Sequence, residues 1–312
     1  MNRVTGSRGA IVVAVVLVAG SAAAAPRPPS APSVPSASAS GPDEPIGGAP
    51  DYRASIALWQ RLIERFPDDP HTDAAHYLLG YALGRMGRDD EARSAFLALV
   101  CAPSRSSAPS PSRSPSSGDP YAGCAPLRPG SPFLPEAWMR LGELHFDAAE
   151  HDAARAAYAR VLAFPESPFY DKALYKLAWS HYIVDHFQES ARRFDALVAW
   201  ADARRAGSEL RSEAIRYIAV ALAEPAWDGE GASAPAAAEV APLRRIEAFY
   251  RGREATPHVR EVFRTLGDVL YDGTDYVAAT DVHLAFLRRW PEAAEAPAVH
   301  ERVIAACSAC VR

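Results

Sequence analysis

Apolar side chains recur every three or four residues from about Asp51 to the last few positions, and polar breaks cut the pattern at similar distances. Residues 174–198, LYKLAWSHYIVDHFQESARRFDALV, show the grammar. One stripe runs through Leu174, Leu177, Ala178 and His181, a polar break follows at Asp185-His186, and a second stripe carries Ser190 and Phe194. Apolar positions at this period mark one face of an amphipathic helix, so the stretch predicts two helices and a tight turn.

The same unit recurs along the chain. Leu79-Gly80, Leu141-Gly142, Leu177-Ala178, Ile218-Ala219 and Leu266-Gly267 hold equivalent places, with Ala178 lying 36 residues beyond Gly142. Trp138-x2-Leu141-Gly142-x2-His145 leads to Ala154-x3-Tyr158 and then Pro165. Phe263-x2-Leu266-Gly267-x2-Leu270 leads to Ala279-x3-His283 and Pro291, and His76-x2-Leu79-Gly80-x2-Leu83 to Ala92-x3-Phe96. This order resembles the tetratricopeptide repeat, which implies an all-α fold, a right-handed α-solenoid of about five helix–turn–helix units. Small residues at the eighth and twentieth positions let two helices cross closely, and large ones at the fourth, eleventh and twenty-fourth fill the space around the crossing. A single unit cannot bury its apolar face, so copies must stack.

Three corners echo one another: RFPDDPH (65–71), AFPESPF (163–169) and RWPEAAEAP (289–297) each set proline just after an apolar helix end. Proline cannot continue the helix there. These long corners resemble the repeats of bacterial envelope proteins, including outer-membrane-assembly and Tol-Pal-associated types. Two insertions interrupt the array, at about 101–131 and 225–241, and the second splits the fourth unit between helices near 210–223 and 242–253. One more helix, about 297–309, closes the predicted array over 51–312.

Longer stretches extend the resemblance over roughly 51–300. DPYAGCAPLRPGSPFLPEAWMRLGELHFDAAEHD, YDKALYKLAWSHY, GSELRSEAIRYIAVALAEPAWDGEG and RIEAFYRGREATPHVREVFRTLGD together resemble exported repeat proteins of the adventurous gliding-motility complex. That resemblance implies a scaffold that binds other cell-envelope proteins. An adaptor in outer-membrane assembly or cell-wall coordination is the neighbouring expectation.

Composition adds a compartment. Arg3 and Arg8 precede AIVVAVVLVAG and then SAAAAP, a basic, apolar and small-residue order that predicts a signal peptide over 1–24 with cleavage after Ala24. The apolar run is about half the roughly 20 residues a spanning helix needs, so no membrane span is expected in the mature chain. No cysteine sits near the cleavage site for a lipid anchor, and the expected location is periplasmic. Residues 25–50 are rich in Pro, Ser and Ala and predict a disordered tether. The net charge of −5 over 312 residues gives no basic face for nucleic acid.

Candidate chemistry is thin. Four cysteines in an exported chain allow three pairings, and Cys101–Cys124 would staple the neck of the first insertion. Cys307 and Cys310 have C-x-x-C spacing but fall at the end of a helix, whereas a redox pair needs a helix amino terminus. His145 and His181 share the eleventh position of adjacent units, where core packing is the default and a metal pair the alternative. Asp228 and Glu230 give AWDGEG too few carboxylates for a calcium loop. No catalytic residue, cofactor or metal is therefore expected. The rival class is a thiol oxidoreductase or a metal-dependent enzyme.

If the family's geometry holds, positions two, five, nine, twelve and thirteen of each first helix line a concave groove. That predicts Tyr77 and Tyr81, then Glu136, Met139, Glu143, Phe146 and Asp147. Lys172, Tyr175, Trp179 and Tyr182 follow in the third unit, and Arg216, Arg264, Asp268 and Tyr271 beyond it. Tyr, Trp and Arg dominate interface hot spots, so Tyr175, Trp179 and Tyr182 stand out as a partner-binding patch.

Overall fold

Each polar break becomes a helix end, and the described residues form twelve helices with no strand among them. The structure, a computed structural model, describes residues 51–102, 119–204, 207–227 and 241–310. The expected signal peptide and tether (1–50), residues 103–118 of the first insertion, Asp228 and Glu230 lie outside the described residues, as does the side chain of Cys310.

Helix α1 (Tyr52–Arg65) precedes the pairs α2 (Thr72–Arg85) with α3 (Asp89–Val100), α4 (Leu134–Asp147) with α5 (His151–Val161), and α6 (Tyr170–Tyr182) with α7 (Phe187–Asp202). Then come α8 (Arg211–Ala223), α9 (Pro242–Phe249), the pair α10 (Val259–Asp272) with α11 (Tyr276–Arg289), and α12 (Ala296–Cys310). Among the described residues no helix is long and apolar enough to cross a membrane.

Steric fit explains the repeat. The glycine at position eight lies under a ring sixteen residues on: Gly80 under Phe96, Gly142 under Tyr158, Gly267 under His283. A Cβ added at Gly80 would stand 2.8 Å from the Phe96 ring. Ala178 keeps the same spacing to Phe194, and both are fully buried. At position twenty, Ala92, Ala154, Ser190 and Ala279 are all inaccessible to solvent.

The turns inside the four regular pairs share one backbone. Gly87, Ala149, Asp185 and Thr274, all at position fifteen, take φ of 70°, 60°, 59° and 67°. In each the next amide reaches back to the carbonyl at position eleven: Arg88 to Leu83, Glu150 to His145, His186 to His181, Asp275 to Leu270. This is a left-handed helix stop that satisfies a terminal carbonyl. In the last pair Thr274 takes the left-handed place, although Gly273 precedes it. A β-branched residue is disfavoured there. Thr274→Gly should therefore raise stability by about 1 kcal/mol, read as a higher thermal midpoint. An unchanged or lower midpoint would contradict the strain.

The fourth unit departs from expectation. The helix predicted over 242–253 stops at Phe249. Sixteen residues beyond Ala219 lies Pro235, in the second insertion, where other units supply a ring. Helix α8 packs directly on α10, while α9 rests against α8 and α11. Buried Arg245 on α9 donates to the carbonyls of Leu222 and Glu224, closing the carboxyl end of α8.

The first insertion is anchored at both ends. Cys101 and Cys124 are joined by a disulfide, with Cα atoms 4.6 Å apart. The Ala102 amide donates to Ala125 O at 2.9 Å, and Leu127 to Leu99 O at 2.8 Å. Burial pushes the Tyr121 phenol up to about 12, so it stays protonated. It lies 2.7 Å from His145 Nε2, and the Glu150 carboxylate accepts a hydrogen bond from the other ring nitrogen. Arg160 holds the Asp119 carboxylate at 2.7 Å and the Tyr121 carbonyl at 3.0 Å.

Candidate partner-binding faces

The first helices α2, α4, α6, α8, α10 and α12 meet neighbour to neighbour through their side chains. Tyr77 of α2 stacks on Phe133 at the start of α4, centroids 4.9 Å apart, with Tyr81 6.5 Å away. Burial first, then a hydrogen bond to Glu136, pushes the Tyr77 phenol well above its usual value. Lys176 of α6 stands 6.0 Å over Phe146 of α4. Arg211 of α8 grips Glu261 of α10 with two bonds of 2.9 Å, and Arg302 of α12 lies 4.8 Å over Tyr271.

This interlocking overturns part of the expected groove. Tyr175, Trp179 and Met139 are 0%, 1% and 2% exposed. Trp179 is wedged against Tyr217 of α8 at 4.4 Å, Tyr182 at 5.4 Å and Phe194 of α7 at 6.3 Å. The next first helix closes over position nine, so these rings are core. The expectation of an open Tyr175–Trp179 patch is corrected accordingly.

The other predicted residues are better placed for contact. Tyr81, Phe146 and Tyr182 are half-buried, while Asp147 and Arg216 are exposed. Tyr182 donates to Glu224 at 2.6 Å, and the next residue, Ile183, is 37% exposed. Arg140 spans Glu136 and Glu143 at 3.1 and 2.9 Å, and Arg264 pairs with Asp268 at 3.3 Å. Half-buried Lys172 has its ammonium 5.7 Å from the Phe169 ring. The result is an aromatic strip edged by charges of both signs.

A cleft of about 490 Å³ opens where α5, α6 and α7 meet. Asp119, Asp152, Arg155, Ala156, Ala159, Arg160, Leu177, His181 and Arg193 line it. Arg155 binds Asp152 and donates to Ser180 O at 3.2 Å, and Arg193 pairs with Glu189 at 2.6 Å. Burial, and next the charge of Arg155, hold the His181 imidazole down to about 4. No spacing rule pointed here; the only hint was the density of arginine on α5 and α7.

His145 and His181 are not brought together. His145 is engaged by Tyr121 and Glu150, and the ring nearest His181 is that of His186, 6.0 Å away. Among the described residues no three metal-ligating side chains cluster. Exposed Cys307 lies near the carboxyl end of α12, not at a helix amino terminus.

Sequence reasoning also missed a buried polar knot. Asp195 of α7 accepts from Tyr250 at 2.9 Å, Arg253 at 2.6 Å and His258 Nε2 at 2.8 Å. His258 Nδ1 lies 3.3 Å from Asp202, which pairs with Arg211 at 2.5 Å. No serine or cysteine of the described residues joins this Asp–His pair through a hydrogen bond, and it holds helices together.

Comparison with known families agrees with the helix-pair architecture. Residues 48–110 and 130–171, covering α1–α3 and α4 to the start of α6, match the family described as tetratricopeptide repeat. The described residues form an all-α repeat architecture, and the match falls on its first half. No curated protein matches the chain. Among solved structures, the chain is similar to a Podosopora anserina protein described as a kinesin light chain with nearly identical TPR-like repeats. Identity is 13%, the TM-score 0.40, and the match covers 71% of this chain and 88% of that one. A single-substitution variant of that same protein gives 13% and 0.40, covering 72% and 89%.

Proposed function

We propose that this chain is a non-catalytic scaffold, exported to the periplasm, that binds other cell-envelope proteins in a multiprotein complex. The observation that carries the reading is the continuous face of interlocked first helices, rigid beneath and edged with Tyr81, Phe146, Tyr182 and Arg216. Stacked repeats of this kind create extended binding surfaces. The Cys101–Cys124 disulfide supports export, because such bonds persist in oxidising compartments. Within the envelope, the stretches quoted from 51–300 favour the gliding-motility machinery, with outer-membrane assembly as the neighbouring context.

The reading is tested by photoreactive residues placed in cells at Tyr81 and Arg216, with exposed Arg288 of α11 as the comparison. One envelope protein captured from both first-helix sites and not from Arg288 is the expected result. Equal capture from all three, or capture from none, would overturn it.

A further inference from the structure

We infer that the cleft between α5 and α7 is a second docking site, one that takes the carboxylates of an acidic, extended segment of a partner protein. The inference rests on the scaffold reading but concerns a different set of residues.

Three guanidiniums converge on this cleft, Arg155 and Arg160 from α5 and Arg193 from α7, over a floor of Ala156, Ala159 and Leu177. Small floor residues let a peptide backbone come close. Arginine forks match carboxylates in two-bond geometry. Two polar atoms in this lining, Arg193 Nε and His181 Nδ1, are buried without a hydrogen-bond partner. A buried donor left unmatched costs about 1–3 kcal/mol, so the Arg193 guanidinium is not fully satisfied where it stands.

Of the three resident carboxylates, Glu189 is seated on Arg193 at 2.6 Å, and the other two hold their arginines from the solvent side. Asp152, the partner of Arg155, is 83% exposed, while the Arg155 side chain is 16% exposed. Asp119 is 40% exposed and engages Arg160 from the rim. Solvated pairs of this sort contribute about 0–1 kcal/mol, so exchange for a better-seated carboxylate costs little. Burial first, and then the charge of Arg155, oppose protonation of His181, with Glu189 acting the other way. His181 is therefore neutral at ordinary pH and does not itself switch the site.

Charge also selects the occupant. Three arginines and two aspartates share the lining, so the cleft matches a few carboxylates spaced along an extended chain rather than a dense run of negative charge such as a nucleic-acid backbone. An open cleft of about 490 Å³ suits a few side chains of an extended segment.

The test uses the purified full chain and a fluorescent decapeptide of alternating glutamate and alanine, read by anisotropy at low salt. Binding should fall at least tenfold in Arg155→Gln/Arg193→Gln and should survive in Arg216→Gln on the first-helix face. It should also be level between pH 5.5 and 8 and weaken steeply with added salt. The charge-preserving Arg155→Lys/Arg193→Lys keeps the fold and should lose several-fold, because the fork is gone. The proposal is overturned if the wild type does not bind the peptide, or if either double variant binds like the wild type. Displacement by inorganic phosphate at peptide-like concentrations would instead mark a small-anion site. Preference for a single-stranded oligonucleotide over the peptide would mark a polyanion site, and either result defeats the inference. Crosslinking from Tyr81 and Arg216 is independent of all these outcomes, so failure here leaves the first-helix face standing.

Discussion

Gly142→Val will destabilise the array by about 3 kcal/mol, the upper range for overpacking a filled core. The cause is local and specific. Any Cβ at Gly142 enters the space of the Tyr158 ring, and Tyr158 is fully buried with no room to swing away. Even Gly142→Ala should lose about 1 kcal/mol net, although alanine in a helix is favoured over glycine by roughly that amount. The comparison is Gly84→Ala in α2, where the nearest atom to the new Cβ is that of Ala92 at 3.9 Å. There the change should be neutral or gain a few tenths of a kcal/mol. Pairing Gly142→Val with Tyr158→Leu should restore part of the loss, with a coupling of at least about 1 kcal/mol. Urea midpoints measure all of these. Additive losses, or a Gly142→Val protein as stable as the wild type, would refute the idea that position eight is small because of the ring sixteen residues later.

That ring rule is also why so much of the fold was readable in advance. Glycine or alanine at position eight, a small residue at twenty and a large one at twenty-four are steric demands within one helix pair, so they recur at fixed spacing. The corners were legible for a similar reason, since proline ends a helix without help from distant residues. The closing helix, expected at about 297–309, spans Ala296–Cys310. Legibility failed where the insertion broke the unit. Ala219 has no ring at the required spacing, and nothing local announces that α8 will pack against α10 instead of a full-length partner.

The binding faces were read less well, for a reason visible in Tyr77 and Tyr175. Both occupy position five, yet one is half-buried and the other fully buried. What separates them is the neighbour: Phe133 stacks beside Tyr77, whereas α8 of the next unit brings Glu213 and Tyr217 beside Tyr175. Position within a unit says which way a side chain points, and only the adjoining unit says how much of it remains open. The arginine cleft was hidden for the same reason, because Arg155 and Arg193 belong to different units.

Asp195→Ala should cost about 3–4 kcal/mol, as removing one member of a buried ionic cluster does. Asp195 is 6% exposed and His258 1%, so truncation leaves His258 and the Tyr250 hydroxyl buried without their acceptor. Burial pushes the Asp195 carboxyl up, but donors from His258 and Arg253 outweigh it and hold the group below the usual carboxylate value. Its contribution is therefore present above about pH 4, the unfolded value, and is lost as pH falls through the lower folded one. Asp195→Asn should flatten the acid limb of the stability curve in that window. Arg253→Ala should cost only about 1 kcal/mol, since its side chain is 47% exposed. The damage should also be regional. Repeats couple mainly to their neighbours, so amide exchange should quicken in α9 and α10, which the Tyr250–His258 corner connects, while α2–α5 keep their protection. Uniformly faster exchange along the whole array, or none, would show that the knot is not what fastens α7 to α10.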